Sequence, residues 1–146
     1  MCGIVGLFLK NPALKPQLGH HVKKMLIEMT ERGPDSAGIA VYHQEVGANE
    51  CKLTAFHPDP HFHWREVGGK LGEALGAEVD IELKGNHAVI KVGTADQPAR
   101  AWFKAHHPEI RIMGYGQLME VYKDMGLPVD VAAKYGLEVM EGSHAI

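Results

Sequence analysis

Met1-Cys2-Gly3-Ile4-Val5-Gly6-Leu7-Phe8 opens the chain, and Arg32-Gly33-Pro34-Asp35-Ser36-Ala37-Gly38 follows it. The first stretch puts a cysteine directly behind the initiator methionine. Removal of Met1 makes Cys2 the N-terminal residue, carrying both a thiol and a free α-amine. A free thiol titrates near ~8.5 and an α-amine near ~7.7–8.0. At neutral pH the amine is therefore partly unprotonated and can relay the thiol's proton, directly or through a water. One residue then holds both a nucleophile and its base. Ile4, Val5, Leu7 and Phe8 form a short apolar run with β preference, read as a buried strand over residues 2–9. Gly3 and Gly6 permit close backbone approach. A strand at the terminus pins the cysteine, where most chain ends are loose. Without such surroundings, a second-position cysteine reads as a buried small hydrophobe.

Outward from these stretches the pattern alternates between helix and strand. Leu18, Val22, Met25, Leu26 and Met29 recur at helical spacing and predict an amphipathic helix over about 15–31, broken by Gly33-Pro34-Asp35. Strands are expected at 38–42, 51–56, 79–83, 88–92 and 110–113, the two at 79–92 joined across Lys84-Gly85-Asn86. Helices are expected from Trp64 to Leu75, over 97–106 with Asp96 as cap, over 118–125, and from Pro128 to near Gly136. Interleaved strands and helices make an α+β chain. Segment order alone does not identify the fold.

The 146 residues suffice for one domain with a core, and 45% hydrophobic with 23% charged residues is ordinary for a globular protein. A net charge of −3 with no basic run carries no footprint for nucleic acid. The apolar run near the start is too short to span a bilayer and lacks a basic region before it, so neither a membrane span nor a secretory signal is expected. Two cysteines, Cys2 and Cys51, make no disulfide framework, and cytoplasmic residence with reduced thiols is the simplest expectation.

The paired stretches resemble the start of class II glutamine amidotransferases, members of the N-terminal nucleophile (Ntn) hydrolase superfamily. A further stretch, Gly114-Tyr115-Gly116-Gln117-Leu118-Met119-Glu120-Val121-Tyr122-Lys123-Asp124-Met125-Gly126, resembles a segment of the amidotransferase subunits allied to glutamate synthase, of the kind found in N-methylglutamate synthases. The resemblance implies one amidotransferase domain over 1–146, part of an αββα sandwich, with about 44–109 as an insertion relative to compact relatives. It implies that Cys2 attacks the side-chain amide of L-glutamine, forms a glutamyl thioester and releases ammonia to a synthase partner. Nothing in the chain suits a flavin or an ammonia acceptor, and no cofactor is expected. Arg32 would brace the loop around the nucleophile with its planar fork; as a plain surface cation it would instead complement the end of the first helix. Asp35 and Ser36 would hold the bend, and Gly33 and Gly38 read as backbone requirements.

In relatives, the strand that Gly142-Ser143-His144-Ala145-Ile146 resembles runs into a His-Thr-Arg motif, whose arginine binds the glutamine carboxylate. An Asn-Gly oxyanion pair and an acidic residue for the substrate amine follow. The sequence matches none of these; Asn86 and Asn49 lie in the wrong contexts. Loss of one oxyanion donor costs about 2.7–4 kcal/mol, and loss of the carboxylate clamp adds to that. The expectation is a truncated domain, inactive alone and completed by the rest of a longer protein or by a second chain. Two rival readings are a non-catalytic interaction module derived from this fold and an Ntn hydrolase of another amide.

Other constellations read blandly. His57, His61 and His63 with Asp59 have ligand chemistry for zinc, but two prolines make the segment a loop, and no metal site is expected. His106-His107 suit a helix end, and His20-His21 lie partly exposed on the first helix. Cys51 reads as a packed thiol, and Trp64 and Trp102 as core anchors. The glycines at 114–116 lack the Gly-Lys-Ser/Thr of a phosphate loop.

Overall fold

The computed structural model describes residues 3–146; the expected nucleophile Cys2 lies outside the described residues. In chain order these form β1 (Leu7–Phe8), a 3-10 turn (Pro12–Gln17), α1 (Leu18–Glu28), a second 3-10 turn (Thr30–Arg32), β2 (Ser36–Tyr42) and β3 (Cys51–Phe56). There follow α2 (Trp64–Leu75), β4 (Val79–Lys84), β5 (His87–Val92), α3 (Asp96–His106), β6 (Arg111–Gly116), β7 (Met119–Met125), α4 (Pro128–Lys134), a 3-10 turn (Leu137–Val139) and β8 (His144–Ala145). The strands form two sheets, ordered β1-β8-β2-β7 and β4-β5-β3-β6. The chain is α+β, as its segment order implies.

The chain divides into two compact units, one comprising the described residues up to Gln44 with Val121–Ile146, the other Glu45–Glu120. In the first, α1 buries Leu18 and Val22, and β2 buries Ile39 and Val41. The helix begins later than its apolar period predicts, because Pro12 and Pro16 hold the preceding segment in a 3-10 turn capped by Asn11. Gly19 of α1 donates its N–H to the Met140 carbonyl at 2.9 Å. A Cβ there would collide with the Leu137 carbonyl and lie 2.8 Å from Met140 O, so backbone meets backbone at this crossing. Strand β1 is shorter and more open than the buried strand expected over 2–9. It pairs through Leu7↔Ala145 and Phe8↔His144, with Leu9 N–H donating to the Ser143 carbonyl at 2.9 Å, and Ile4 is 84% and Phe8 65% exposed.

In the second unit, β3 lies between β5 and β6 in antiparallel ladders, and β4 joins β5 across a turn in which Gly85 takes a φ of 57°. Leu53, Ala55, Ala88 and Ile90 pack with Trp64, Val67 and Leu71 of α2 and with Ala99 and Phe103 of α3. Trp102 packs against this core from a partly buried position. The alternate residues of β3, Lys52 and Thr54, are fully buried as well, so both faces of this strand are closed to solvent. Asp96 does not cap α3 as expected. Ala95 is the cap residue, and Asp96, in the first turn, pairs with Arg100 at 3.0 Å. Strand β6 outruns the expected 110–113 because Gly114 and Gly116 continue the ladder opposite Thr54 and Lys52, past an irregularity at Thr54/Ala55.

The helix expected over 118–125 is instead β7. Leu118, Val121, Tyr122 and Met125 imitate a helical face, but burial alternates. Glu120 is 1% and Tyr122 0% exposed, while Met125 is 76% exposed. A period of two has won over a chance period of 3.6.

Candidate active site

The 3-10 turn Thr30–Arg32 tightens the chain after α1, and Gly33-Pro34-Asp35 carries it into β2. Backbone bonds hold this bend. Arg32 N–H donates to the Met29 carbonyl at 2.9 Å, Gly33 N–H to Thr30 at 3.3 Å, and Gly126 N–H to the Asp35 carbonyl at 2.9 Å. The last bond needs Gly126 at a φ of 121°, a conformation that a side chain would strain. Gly33 itself is different. Its φ is −161°, and among the described residues an added Cβ would meet nothing nearer than the Ser36 carbonyl at 4.0 Å. An added Cβ at Gly38 would make ordinary contacts with Tyr122 and Lys123 at 3.5–3.7 Å. Among the described residues, neither conformation nor crowding demands glycine at these two positions.

The bend opens onto a cavity of about 260 Å³. Arg32, Gly33, Asp35 and Ser36, the four residues singled out in the sequence as supports, all line it, together with Gly3. Leu26 and Met29 from the end of α1 and Pro128 from α4 complete much of the wall. Their contribution was not legible in the sequence. Leu26 and Met29 read as an apolar helix stripe, and Pro128 lies far along the chain with no local signal. A second, more apolar cleft of about 270 Å³ shares Gly3, Leu26, Met29 and Gly38, and adds Ile4, Val5, Ile39, Tyr122 and Ile146.

Arg32 and Asp35 bring one cation and one anion to the first cavity, and Ser36 brings a hydroxyl. All three residues are exposed. Among the described residues, none of their side chains makes a hydrogen bond or an ion pair. The cavity therefore presents polar groups that the other described residues do not consume.

The histidine-rich loop is a local turn. His57 Nδ1 accepts from Asp59 N–H at 3.1 Å, Asp59 Oδ1 accepts from His61 N–H at 2.9 Å, and the His57 ring stacks on Phe62. Among the described residues, no three metal-ligating side chains converge. At the end of α3, His106 and His107 lie against the Trp102 ring. The hydrogen bond from His107 holds the Glu109 carboxyl below its usual range. Cys51 is 2% exposed, and burial, with the nearby Asp96 charge, pushes its thiol up to about 11. Gly114 and Gly116 belong to a strand, not to a phosphate-binding loop. Among the described residues, no helix is long and apolar enough to cross a membrane.

No protein-family model matches the chain. It is 44% identical over 147 residues to the glutamine amidotransferase-like protein GlxB of Rhizobium meliloti (strain 1021), a match covering 100% of this chain and 48% of that protein. It is 25% identical over 158 residues to a protein of Methanothermobacter thermautotrophicus named "Putative glutamine amidotransferase", covering 100% of this chain and 50% of that one. The chain thus spans about half the length of the curated relatives it matches. Its similarity to them runs from end to end and supports kinship with glutamine amidotransferases.

Proposed function

We propose that this chain supplies the nucleophile-bearing part of a class II glutamine amidotransferase. Met1 is removed, and Cys2 Sγ attacks the side-chain amide carbon of L-glutamine, its proton passing to the α-amine. The tetrahedral intermediate collapses as the C–N bond breaks. The α-ammonium returns the proton to the leaving ammonia, and a glutamyl thioester remains on Cys2. Water, deprotonated by the same amine, then attacks the thioester and releases glutamate and the free thiol. The balance is glutamine plus water to glutamate plus ammonia, and no step calls for a cofactor.

The single observation that carries this reading is the convergence of Gly3, the residue bonded to Cys2, with Arg32, Gly33, Asp35 and Ser36 on one cavity. The names of the relatives support it. In this reading Arg32, Gly33, Asp35 and Ser36 form the wall around the nucleophile, and the strands belong to an Ntn-type sandwich. The Glu45–Glu120 unit corresponds to the insertion expected over about 44–109. The ammonia goes to a synthase partner of the glutamate synthase type, in the cytoplasm, and the remaining substrate-clamping groups come from the rest of a longer protein or from a second chain. The mass of the purified protein tests the premise. Met1 must be absent, because only then does Cys2 carry its base, and a protein that retains Met1 has no N-terminal nucleophile.

A further inference from the structure

We infer that the open edge of the Glu45–Glu120 unit, formed by β4 and the face of α2 beside it, docks a second copy of this chain about a two-fold axis. The inference concerns a different unit from the glutaminase reading and does not depend on it. Three observations carry it.

The first is the edge itself. The unit consists of two interleaved halves, β3-α2-β4 and β5-α3-β6. Their order leaves β4 at the end of the sheet β4-β5-β3-β6. Among the described residues, β4 pairs with β5 alone. Gly93 N–H donates to the Glu78 carbonyl at 2.9 Å, and in an antiparallel ladder the bonded residues alternate. Asp80, Glu82 and Lys84 therefore turn their backbone groups to β5, and Val79, Ile81 and Leu83 turn theirs to the open side. Leu83 is 53% exposed. Such an edge is a template for another strand.

The second is the exposed face of α2. Arg65, Gly69 and Glu73 follow at four-residue spacing and line, with Asp80 and Ile81, a groove of about 530 Å³ beside β4. In a single chain each is out of place. Arg65 puts a cation in the first turn and Glu73 an anion in the last, both against the helix dipole. Gly69 weakens the middle of the helix, with nothing within 4 Å of an added Cβ to require it. Beside an antiparallel copy of α2 crossing at Gly69, Arg65 meets Glu73 of the second copy and Glu73 meets its Arg65. The two glycines let the helices approach.

The third is that the strand carries the same two-fold pattern. Helix α2 lies over this edge, since a Cβ at Gly68 would collide with Ile81 Cδ1. An axis normal to the sheet that sets the two α2 helices side by side also pairs the two β4 strands antiparallel. With Glu82 on the axis, Ile81 lies opposite Leu83 of the second copy, and their outward backbone groups match. Asp80 then lies opposite Lys84 of the second copy. Glu82 meets its twin, and Lys84, 3.2 Å from Glu82 in the same chain, offsets that charge. The contact is isologous and closes at two chains.

Sedimentation velocity of the full chain over a concentration series tests this. The parent is expected to dimerise. Arg65→Glu and Glu73→Arg are each expected to weaken the dimer at least about tenfold, because each sets like charges across the axis twice. Mixed together, the two variants are expected to associate, since one face is then wholly acidic and the other wholly basic. Leu83→Pro removes an N–H on the open side only and is expected to weaken the dimer to a similar degree. Unchanged circular dichroism establishes that the variants are folded. A parent that stays monomeric up to about 1 mM overturns the inference. So does a dimer that either charge reversal or Leu83→Pro leaves intact, or one that the mixture of the two charge variants does not regain.

Discussion

Lys52 Nζ donates to Glu120 Oε1 at 2.9 Å with both side chains closed to solvent, at 0% and 1% exposure. The pair joins β3 to the start of β7 within the Glu45–Glu120 unit. It explains why a glutamate occupies a buried position of a strand. A buried charge is tolerated when it is paired, and removal of one partner strands the other. Lys52→Met is therefore expected to cost about 3–5 kcal/mol in urea unfolding. The double variant Lys52→Met/Glu120→Leu is expected to be more stable than Lys52→Met alone. Equal stability of the single and double variants would show that the two charges do not depend on each other.

Two helical glycines should respond in opposite directions. Gly19 presses against the Leu137 and Met140 backbone, and main chain cannot swing aside. Gly19→Ala is expected to destabilise by about 1–3 kcal/mol. Gly69, in the middle of α2, is exposed and has nothing within 4 Å of an added Cβ. Gly69→Ala is expected to stabilise by up to about 1 kcal/mol through helix propensity. Denaturant midpoints of both variants against the parent decide this.

Asp124 gives the first unit a pH dependence. Burial alone would raise its carboxyl, but hydrogen bonds from Lys134 Nζ, Tyr135 OH and Met125 N–H overcome that and hold it below the usual range. A carboxyl lowered on folding stabilises above its unfolded value of ~3.9, and that stability is lost as pH falls through the folded value. The stability gap between the parent and Asp124→Asn is expected to be full near neutral pH and to narrow below about pH 4. Tyr135 is shifted the opposite way, raised by burial and by the Asp124 carboxylate. Its contribution is present below the ordinary phenol value and fades as pH rises above about 10. A gap that stays constant into acid would contradict the assignment for Asp124.

Most elements were legible because their apolar spacing matched the geometry they adopt. The Leu18–Met29 stripe, the alternation of Val79–Leu83 and the Gly85-Asn86 turn all read correctly. The reading failed at 118–125, where the identity of the buried residues depended on a distant partner. Glu120 looks solvent-facing until Lys52 stands opposite it, and without it only the helical spacing of Leu118, Val121, Tyr122 and Met125 remains. At the candidate site, the Arg32–Gly38 stretch was legible as a unit. The walls from α1 and Pro128 were not, because cavities are assembled by tertiary contacts that no local period encodes. The backbone at Gly33 was not legible either, because its φ of −161°, open to any residue, depends on how the bend is held.

The two cysteines should differ sharply in reactivity. Cys51 is buried at 2% exposure with its thiol pushed up to about 11. Roughly one part in a thousand is thiolate near pH 8, and iodoacetamide should leave it unmodified in the folded protein. Unfolding in urea should release it. Rapid modification of Cys51 under native conditions would contradict its place in the core.

The most direct measurement is the intact mass of the purified protein before and after exposure to a glutamine-like diazo-ketone, with the adduct mapped by peptide digestion. With the chain completed by the rest of the longer protein or by its second chain, the expected result is loss of Met1, one adduct on Cys2 and none on Cys51, with L-glutamine protecting against labelling. Retained Met1, or labelling that ignores both Cys2 and L-glutamine, would contradict an N-terminal cysteine nucleophile acting on glutamine.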